Sequence, residues 1–284
     1  MDQLIDRAAK DLVLSKYAIA LTGAGMSTES GIPDFRGPDG IWTKNPEAER
    51  RAYEAYDELL RDPKGHWEEI LTPGSFFSLF EQIGKALPNP GHRGLAELER
   101  MGILKLVITQ NVDGLHQKAG SQNVIEYHGG LSKLRCMSCG SRFDREEFDL
   151  ERLKRENLLP PRCKECSGVL KHDGVYFREP IPGDVYHRSL EAAWECDLML
   201  ICGTSAVVYP FAELPRVARQ GRTETERKTE AGIYAVEKIP AVTIIEVNAE
   251  PTPLTEERIS DYLIQGKTGE VLPNMVEKVE KIRR

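Results

Sequence analysis

Hydrophobic positions along the chain fall into two kinds of pattern. Leu4, Ile5, Ala8, Leu12 and Val13 recur at helical spacing and predict an amphipathic helix at the start. Four short, largely apolar runs read differently: residues 17–21, 104–109, 198–202 and 243–247. Each reads as a strand that stops at a polar or glycine-containing cluster. The clusters are Thr22-Gly23-Ala24-Gly25, Gln110-Asn111-Val112-Asp113-Gly114, Gly203-Thr204-Ser205 and Asn248-Ala249-Glu250. Apolar strands separated by helical stretches predict an α/β fold, a Rossmann-like parallel sheet with helices on both faces. Ligands bind beyond the carboxyl ends of such strands, so all four clusters are expected to converge on one crevice.

Two segments interrupt this pattern. Residues 40–90 are charged and helix-prone, with a break at Pro73-Gly74, and residues 131–170 carry four of the six cysteines. The expected division is a Rossmann-like domain from residues 1–40, 91–130 and 169–284. A helical insertion (41–90) and a metal-binding module (131–168) form a smaller domain. Residues 221–232 are almost entirely polar or charged and read as a solvated loop or a mobile hairpin.

Composition narrows the picture. A chain of 284 residues with 40% hydrophobic content supports a real core in one or two domains. The net charge of −7 argues against attraction to nucleic-acid phosphates. The acidic start lacks the features of a secretion signal, and no apolar run nears the roughly 18 to 20 residues that span a bilayer. A soluble, cytoplasmic protein without a membrane partner is therefore expected.

In a reducing compartment, paired CxxC units read as metal ligands before disulfides. Cys136-x-x-Cys139, a gap of 23 residues and Cys163-x-x-Cys166 have zinc spacing. Four thiolates complete a tetrahedron and leave no position for water or substrate, so the Zn2+ is expected to be structural. Residues 131–170 hold nine Lys/Arg against seven Asp/Glu. A tetrathiolate zinc centre adds about −2, so the module is nearly neutral, and nucleic-acid binding through it is disfavoured. Cys196 and Cys202 sit in apolar company and read as buried thiols.

Gly23-Ala24-Gly25-Met26-Ser27-Thr28 resembles half of a dinucleotide fingerprint. Glycines let backbone approach a pyrophosphate, and a following helix N-terminus would offer it free N–H groups. The third fingerprint glycine is Thr28, and no acidic residue stands about 20 positions on at a strand end. A hydride-transfer dehydrogenase is disfavoured. Residues 29–37, ESGIPDFRG, are too polar and too rich in Gly and Pro for a regular element and read as a loop over the site. Buried charge needs a partner, so Asp34 and Arg36 should each have one.

The run GAGMSTESGIPDFRG resembles the cofactor-binding signature of the sirtuins, the NAD-dependent protein-lysine deacylases. TQNVDGLH (109–116) resembles their second motif and EYHGG (126–130) their catalytic-histidine motif. The CxxC pairs, Gly203-Thr204-Ser205 and Asn248-Ala249-Glu250 follow in the family's order, over roughly residues 5 to 275. The resemblance implies that the acyl oxygen of a modified lysine attacks C1′ of the nicotinamide ribose. The products would be free lysine, nicotinamide and an O-acyl-ADP-ribose.

It also implies residue roles. His128 is the general base, apt because free imidazole titrates near ~6.5. Asp113 holds the nicotinamide carboxamide, and Gln110 and Asn111 contact the ribose, with Asn111 and Asp113 counted in the catalytic set. Gly23, Ala24, Gly25, Met26, Ser27, Asp34, Phe35 and Arg36 carry over to the cofactor loop, Phe35 shielding the ribose face. Gly203, Thr204 and Ser205 form a further cofactor-facing strand end. Asn248 and Glu250 address the adenosine ribose, and Thr268 falls where backbone meets adenine. His116 reads as structural, and His66, His92, His172 and His187 have no comparable claim.

The acyl-lysine peptide is expected along Val175, Tyr176 and Phe177, pairing strand to strand. Here the chain departs from the family pattern: His172 stands for the usual Pro, Gly174 for Val and Arg178 for Gly. Gly174 should loosen the strand, and Arg178 should add charge near the peptide and favour acidic or unusual substrates. Sirtuins that prefer succinyl or malonyl groups use a Tyr-x-x-Arg pair, and the stretch between Trp67 and Pro90 has neither residue. A neutral acyl group, acetyl or longer, is expected. Phe76, Phe77, Leu79 and Phe80 read as core, with an acyl channel as the other reading. Rival functions are an ADP-ribosyltransferase using the same NAD site and a zinc-ribbon protein that senses NAD without turnover.

Overall fold

The structure is a computed structural model. It describes residues 1–37, 40–75, 83–221 and 241–284, together with the backbone of residues 225–228 and 234–237. Its centre is a six-stranded, all-parallel sheet. Five strands contribute in chain order β1 (Ala18–Thr22), β2 (Leu104–Thr109), β3 (Val124–Glu126), β7 (Leu198–Cys202) and β10 (Thr243–Asn248), and β11 (Tyr262–Gln265) closes one edge. The spatial order is β11-β10-β7-β1-β2-β3. The chain runs outward from β1 to β3, returns to β7 beside β1, and then runs outward the other way. The order therefore reverses between β1 and β7, and the crevice beyond their carboxyl ends is where such sheets bind ligands.

Both faces of the sheet are covered, which is why the strands read as largely apolar runs. In β1, Ala18 and Ala20 pack under helices Asp2–Leu14, Pro90–Arg100 and Thr268–Arg283. Ile19 and Leu21 face helices Gly183–Glu195 and Leu214–Gly221. The edge strands β3 and β11 escaped the sequence pattern, because each is only three or four residues long and part-buried.

A second lobe holds β4 (Lys133–Cys136), β5 (Arg142–Asp144) and β6 (Leu170–His172) in an antiparallel sheet of order β5-β4-β6. β6 lies just past the expected start, at 169, of the last Rossmann segment, yet its partner is β4. Helices Ile41–Lys44, Pro46–Arg61 and Pro63–Ile70 occupy the other insertion. Consecutive helices open with an Asn-Pro or Asp-Pro pair: Asn45 caps Ala48, Asp62 caps Gly65, and each is followed by proline at the first helical position. The expected break appears after Ile70, with Gly74 at φ 76°. Trp67 ties the two insertions together. It is fully buried among Leu134, Leu150, Leu159 and Leu170, and its Nε1 donates to the Leu170 carbonyl at 2.8 Å.

Of the polar stretch 221–232, Gly221 ends a helix and Thr225–Lys228 (β8) pairs antiparallel with Tyr234–Glu237 (β9). Its remaining residues, and Phe76, Phe77, Leu79 and Phe80, lie outside the described residues. Among the described residues no helix is long and apolar enough to cross a membrane.

Candidate active site

The carboxyl ends of β1 and β7 clasp each other. The Gly25 amide donates to the Gly203 carbonyl at 2.8 Å, and Gly203 has φ 61°. A Cβ on Gly203 would lie 2.2 Å from the Met26 nitrogen, and one on Gly25 would lie 2.9 Å from the Gly203 oxygen. Side-chain-free backbone is needed here for loop-to-loop contact. The turn does not lead into an α-helix, as the fingerprint suggested. Two short 3-10 turns follow, Ala24–Met26 and Thr28–Ser30.

A cavity of about 700 Å³ opens over this clasp. The four polar clusters do converge on it. Ala24, Gly25 and Ser27 line it from β1; Gln110, Asn111 and Asp113 from β2; Gly203, Thr204 and Ser205 from β7; Asn248 and Glu250 from β10. Asp34, Phe35, Arg36, His128, Thr268 and the segment Val175, Tyr176, Phe177 complete the wall. Gly23 and Met26 do not face the cavity. A Cβ on Gly23 would meet Thr204 at 2.7 Å, and Met26 is buried in the core under the sheet.

The β2 cluster is held by a chain of hydrogen bonds. Asn111 Nδ2 donates to the Gly23 carbonyl and to Ser27 Oγ, both at 3.0 Å. Ser27 Oγ donates to Asp113 Oδ2 at 2.7 Å, and Asp113 Oδ1 accepts from the Leu115 amide at 2.9 Å. A carboxylate has about four acceptor sites, so Asp113 keeps spare lone pairs on the cavity side. Gln110 Nε2 donates to Thr204 Oγ1 at 2.7 Å, stitching β2 to β7.

His128 follows β3. Its Nδ1 lies 3.2 Å from the Gln110 carbonyl oxygen, which can only accept, so Nδ1 carries the proton and Nε2 keeps its lone pair. Burial pulls the imidazole pKa down to about 4, against an opposing pull from the Gln110 carbonyl. At neutral pH the ring is an uncharged base. His92 and His116 meet edge to face behind the wall with centroids 4.9 Å apart, and His116 Nε2 pairs with Thr22 Oγ1 at 2.9 Å. Burial depresses these rings as well, to about 4 and about 3.

In the loop 29–37, Asp34 Oδ1 accepts from the Gly37 amide at 3.0 Å, and the Arg36 guanidinium lies 4.7 Å over the Trp42 ring. The partner of Arg36 is thus an aromatic face. Phe35 packs on Trp42 with centroids 4.8 Å apart and is 46% exposed.

Beside the cavity wall formed by Asn248 and Glu250, sequence reasoning missed Glu246. It is fully buried on β10 and accepts hydroxyl hydrogens from Thr252, from Thr255 at 2.5 Å and from Ser260 at 2.5 Å. These bonds fix the turn that carries Asn248 and Glu250. Its signal was faint: one acidic residue inside an apolar strand. Thr268 Oγ1 is buried, on the cavity wall, and has no hydrogen-bond partner among the described residues. Such an orphan, the side-chain-free clasp and the polar strand ends suit a dinucleotide.

The segment 173–179 forms bends and turns rather than the expected strand. The Val175 amide donates to the His128 carbonyl at 2.7 Å. Behind it, Arg135 bridges Asp173 and Glu179 at 2.8 Å each, and Lys171 pairs with Glu179 at 3.1 Å. These buried ion pairs fasten the segment to the small sheet. Arg178 lines the cavity, and its guanidinium pairs with the Asp57 carboxylate at 3.1 Å. His172, given no role from sequence, lines the cavity and stacks on Trp67 at 4.9 Å.

The four cysteine sulfurs lie within 4.8 Å of one another. Cys136 and Cys166 Sγ are 3.5 Å apart, and Cys139 and Cys163 Sγ are 3.7 Å apart. A tetrahedron with Zn–S bonds of ~2.3 Å requires sulfurs ~3.8 Å apart. The amides of Ser138 and Cys139 point at Cys136 Sγ, and that of Glu165 at Cys163 Sγ, as knuckle turns do for thiolates. The donor set fits structural Zn2+. Cys196 and Cys202 are fully buried in the core.

The chain was compared with known proteins. The sequence profile of the Sir2 family matches residues 23–210. The NAD-dependent protein deacylase 2 of Archaeoglobus fulgidus is 42% identical over 284 residues, covering 100% of this chain and 99% of its own. A solved Sir2 homologue in complex with NAD superposes with a TM-score of 0.72 at 36% identity, covering 100% of this chain and 95% of that one. A Sir2 protein bound to a myristoylated histone peptide gives 0.67 at 37% identity, covering 100% and 99%. With the profile spanning well over half of its length and a relative matched end to end, the chain belongs to the Sir2 family, the sirtuins.

Proposed function

We propose that the chain removes acyl groups from lysine side chains of proteins or peptides, consuming NAD and releasing nicotinamide and an O-acyl-ADP-ribose. The carrying observation is the neutral His128, its Nε2 lone pair free, on the wall where the polar strand ends meet residues 175–177. Family membership and relatives named NAD-dependent protein deacylases support this reading.

NAD supplies the electrophilic ribose carbon that takes up the acyl group as nicotinamide departs. In this reading, Asp113, positioned by Ser27, orients the carboxamide, while Gln110 and Asn111 hold the nicotinamide ribose. His128 takes a proton from a ribose hydroxyl through Nε2. Gly25, Gly203, Thr204 and Ser205 face the phosphates, and Asn248, Glu250 and Thr268 the adenosine end. Phe35, braced by Trp42, excludes water from the ribose face once nicotinamide has left. The acyl-lysine enters along Val175, Tyr176 and Phe177. The Rossmann-like sheet carries the cofactor half. The helical insertion and zinc module, extended to include β6, carry the other. The Zn2+ takes no part in the chemistry. The cytoplasm, a reducing compartment, suits four ligating thiolates.

The acyl group is neutral, acetyl or longer. A Sir2 protein solved bound to a myristoylated histone peptide supports the longer chains, and no Tyr or Arg stands between Trp67 and Pro90 to bind an acyl carboxylate. The test incubates the protein with NAD and an acetyl-lysine peptide. Nicotinamide, O-acetyl-ADP-ribose and ADP-ribosylated protein are followed by mass spectrometry. The first two should appear in equal amounts, and His128→Ala should lower them by about 10²- to 10⁴-fold. ADP-ribosylated protein as the main product, or a succinyl peptide turned over faster than the acetyl one, contradicts the reading.

A further inference from the structure

Arg178 occupies left-handed backbone, φ 69°, a conformation natural to glycine and strained for a residue with a Cβ. Its side chain reaches across to helix Pro46–Arg61. Nη2 donates to the Tyr53 carbonyl at 2.5 Å and lies 3.1 Å from the Asp57 carboxylate. The two residues before it meet the same helix face. Phe177 and Tyr53 rings are 4.4 Å apart, and Tyr176 stacks on Tyr56 at 6.4 Å. Three consecutive residues, 176–178, thus dock on positions 53, 56 and 57, a spacing that places all three on adjoining turns. On its other side the segment is pinned by the Val175 amide to the His128 carbonyl.

Between these fixings the helix presents small side chains. Ala52 and Ala55 line the same cavity as Tyr176, Phe177 and His128. The helix and the segment are thus neighbouring walls of that cavity, and the groove they bound is a part of it. Its width depends on how firmly the segment is held to the helix.

We propose that Arg178 is a specificity-determining residue: with Asp57 and the Tyr53 carbonyl it forms a latch that fixes the width of this groove and so limits the length of acyl chain accepted. The inference rests on the reading of residues 175–177 as the acyl-lysine site. With the latch closed, the groove grips short acyl groups. With it open, the segment and helix part, and longer chains gain apolar contact at the expense of short ones.

Arg178→Gly is the direct test, because it removes the latch and also relieves the backbone strain, so the variant is expected to fold with an unchanged or higher Tm. Acetyl-, octanoyl- and myristoyl-lysine peptides of one sequence are compared at saturating NAD. The ratio of kcat/KM for myristoyl over acetyl should rise about tenfold, within the range a few methylenes command in an apolar pocket. Asp57→Asn, which leaves the Tyr53 carbonyl as acceptor, should move the ratio the same way but less. Combined with Arg178→Gly it should add nothing further. A natively folded Arg178→Gly protein whose ratio stays within twofold of wild type overturns the latch. Wild-type protein that yields no deacylated peptide overturns the underlying site reading instead, and the two failures are told apart by the wild-type assay alone.

Discussion

Ser27 Oγ donates a 2.7 Å hydrogen bond to Asp113 Oδ2 while accepting one from Asn111 Nδ2 at 3.0 Å. One hydroxyl from the β1 loop therefore orders both polar side chains of the β2 loop, 84 and 86 residues away. Ser27 itself is buried. Ser27→Ala leaves Asp113 and Asn111 each short of a partner, and a hydrogen bond to a charged group contributes about 1.5–3 kcal/mol. The expected result is a fall in kcat/KM for NAD of about tenfold or more, with the KM for peptide nearly unchanged. Steady-state kinetics at fixed peptide check it. An equal loss in both would mean that the bond only supports the fold.

Gly203→Ala should be among the costliest single-methyl additions in the chain. The new Cβ would sit 2.2 Å from the Met26 nitrogen on a residue at φ 61°. Backbone on both sides cannot swing away as a flexible side chain could. A loss of about 2–3 kcal/mol is expected in urea unfolding, with weakened NAD binding by calorimetry. Gly74→Ala is the control: its φ is 76°, but among the described residues nothing lies within 4 Å of its Cβ position, so it should cost about 1 kcal/mol and leave NAD binding intact.

Acid should destabilise the protein well before its carboxylates titrate. Burial lowers the pKa of His66 to about 4, His92 to about 4, His116 to about 3 and His128 to about 4. In the unfolded chain these groups take up protons near ~6.5. Between ~6.5 and about 4 the unfolded state binds protons that the folded state refuses. Their contribution to stability is thus fully present above ~6.5 and is lost as pH falls through that window. The slope approaches about 1.4 kcal/mol per pH unit for each such histidine. Chemical denaturation from pH 7.5 to 4.5 measures it; a stability flat down to pH 5 would show that the rings are solvated. Where the protein remains folded, kcat/KM should show no acidic-limb pKa near ~6.5, because His128 of the free enzyme is already neutral there.

Removing zinc should unfold the small lobe without touching the chemistry directly. Cys136 and Cys163 share a core with Trp67, Leu134 and Leu170, so loss of the metal frees four thiols and loosens the ground on which β6 and residues 173–179 stand. A strong chelator should lower Tm, make four thiols reactive to a thiol reagent and abolish turnover. Cadmium, which also favours four sulfurs, should restore activity along with Tm. Full activity in the metal-free protein would contradict the structural role.

The parallel sheet was legible because its central strands are buried on both faces, which forces largely apolar runs at residues 104–109, 198–202 and 243–247. The four cysteines were legible because metal ligands on tight turns need fixed local spacing. The clusters ending at Gly25, Gly114, Ser205 and Glu250 could be placed at strand ends, and the parallel topology predicts that strand ends meet. Pairings across the chain were not legible, because no local pattern encodes them: the Gly25–Gly203 clasp, the Ser27 hydroxyl between Asn111 and Asp113, and the Glu246 carboxylate among three hydroxyls. The burial that makes His128 a neutral base was equally hidden, since a side chain's pKa depends on what surrounds it in space. Arg178 shows the division plainly. The sequence determined that a long cation stands where sirtuins commonly carry glycine. Only the tertiary structure, by bringing Tyr53 and Asp57 within reach, decided that this charge is paired with the neighbouring helix at the cavity wall.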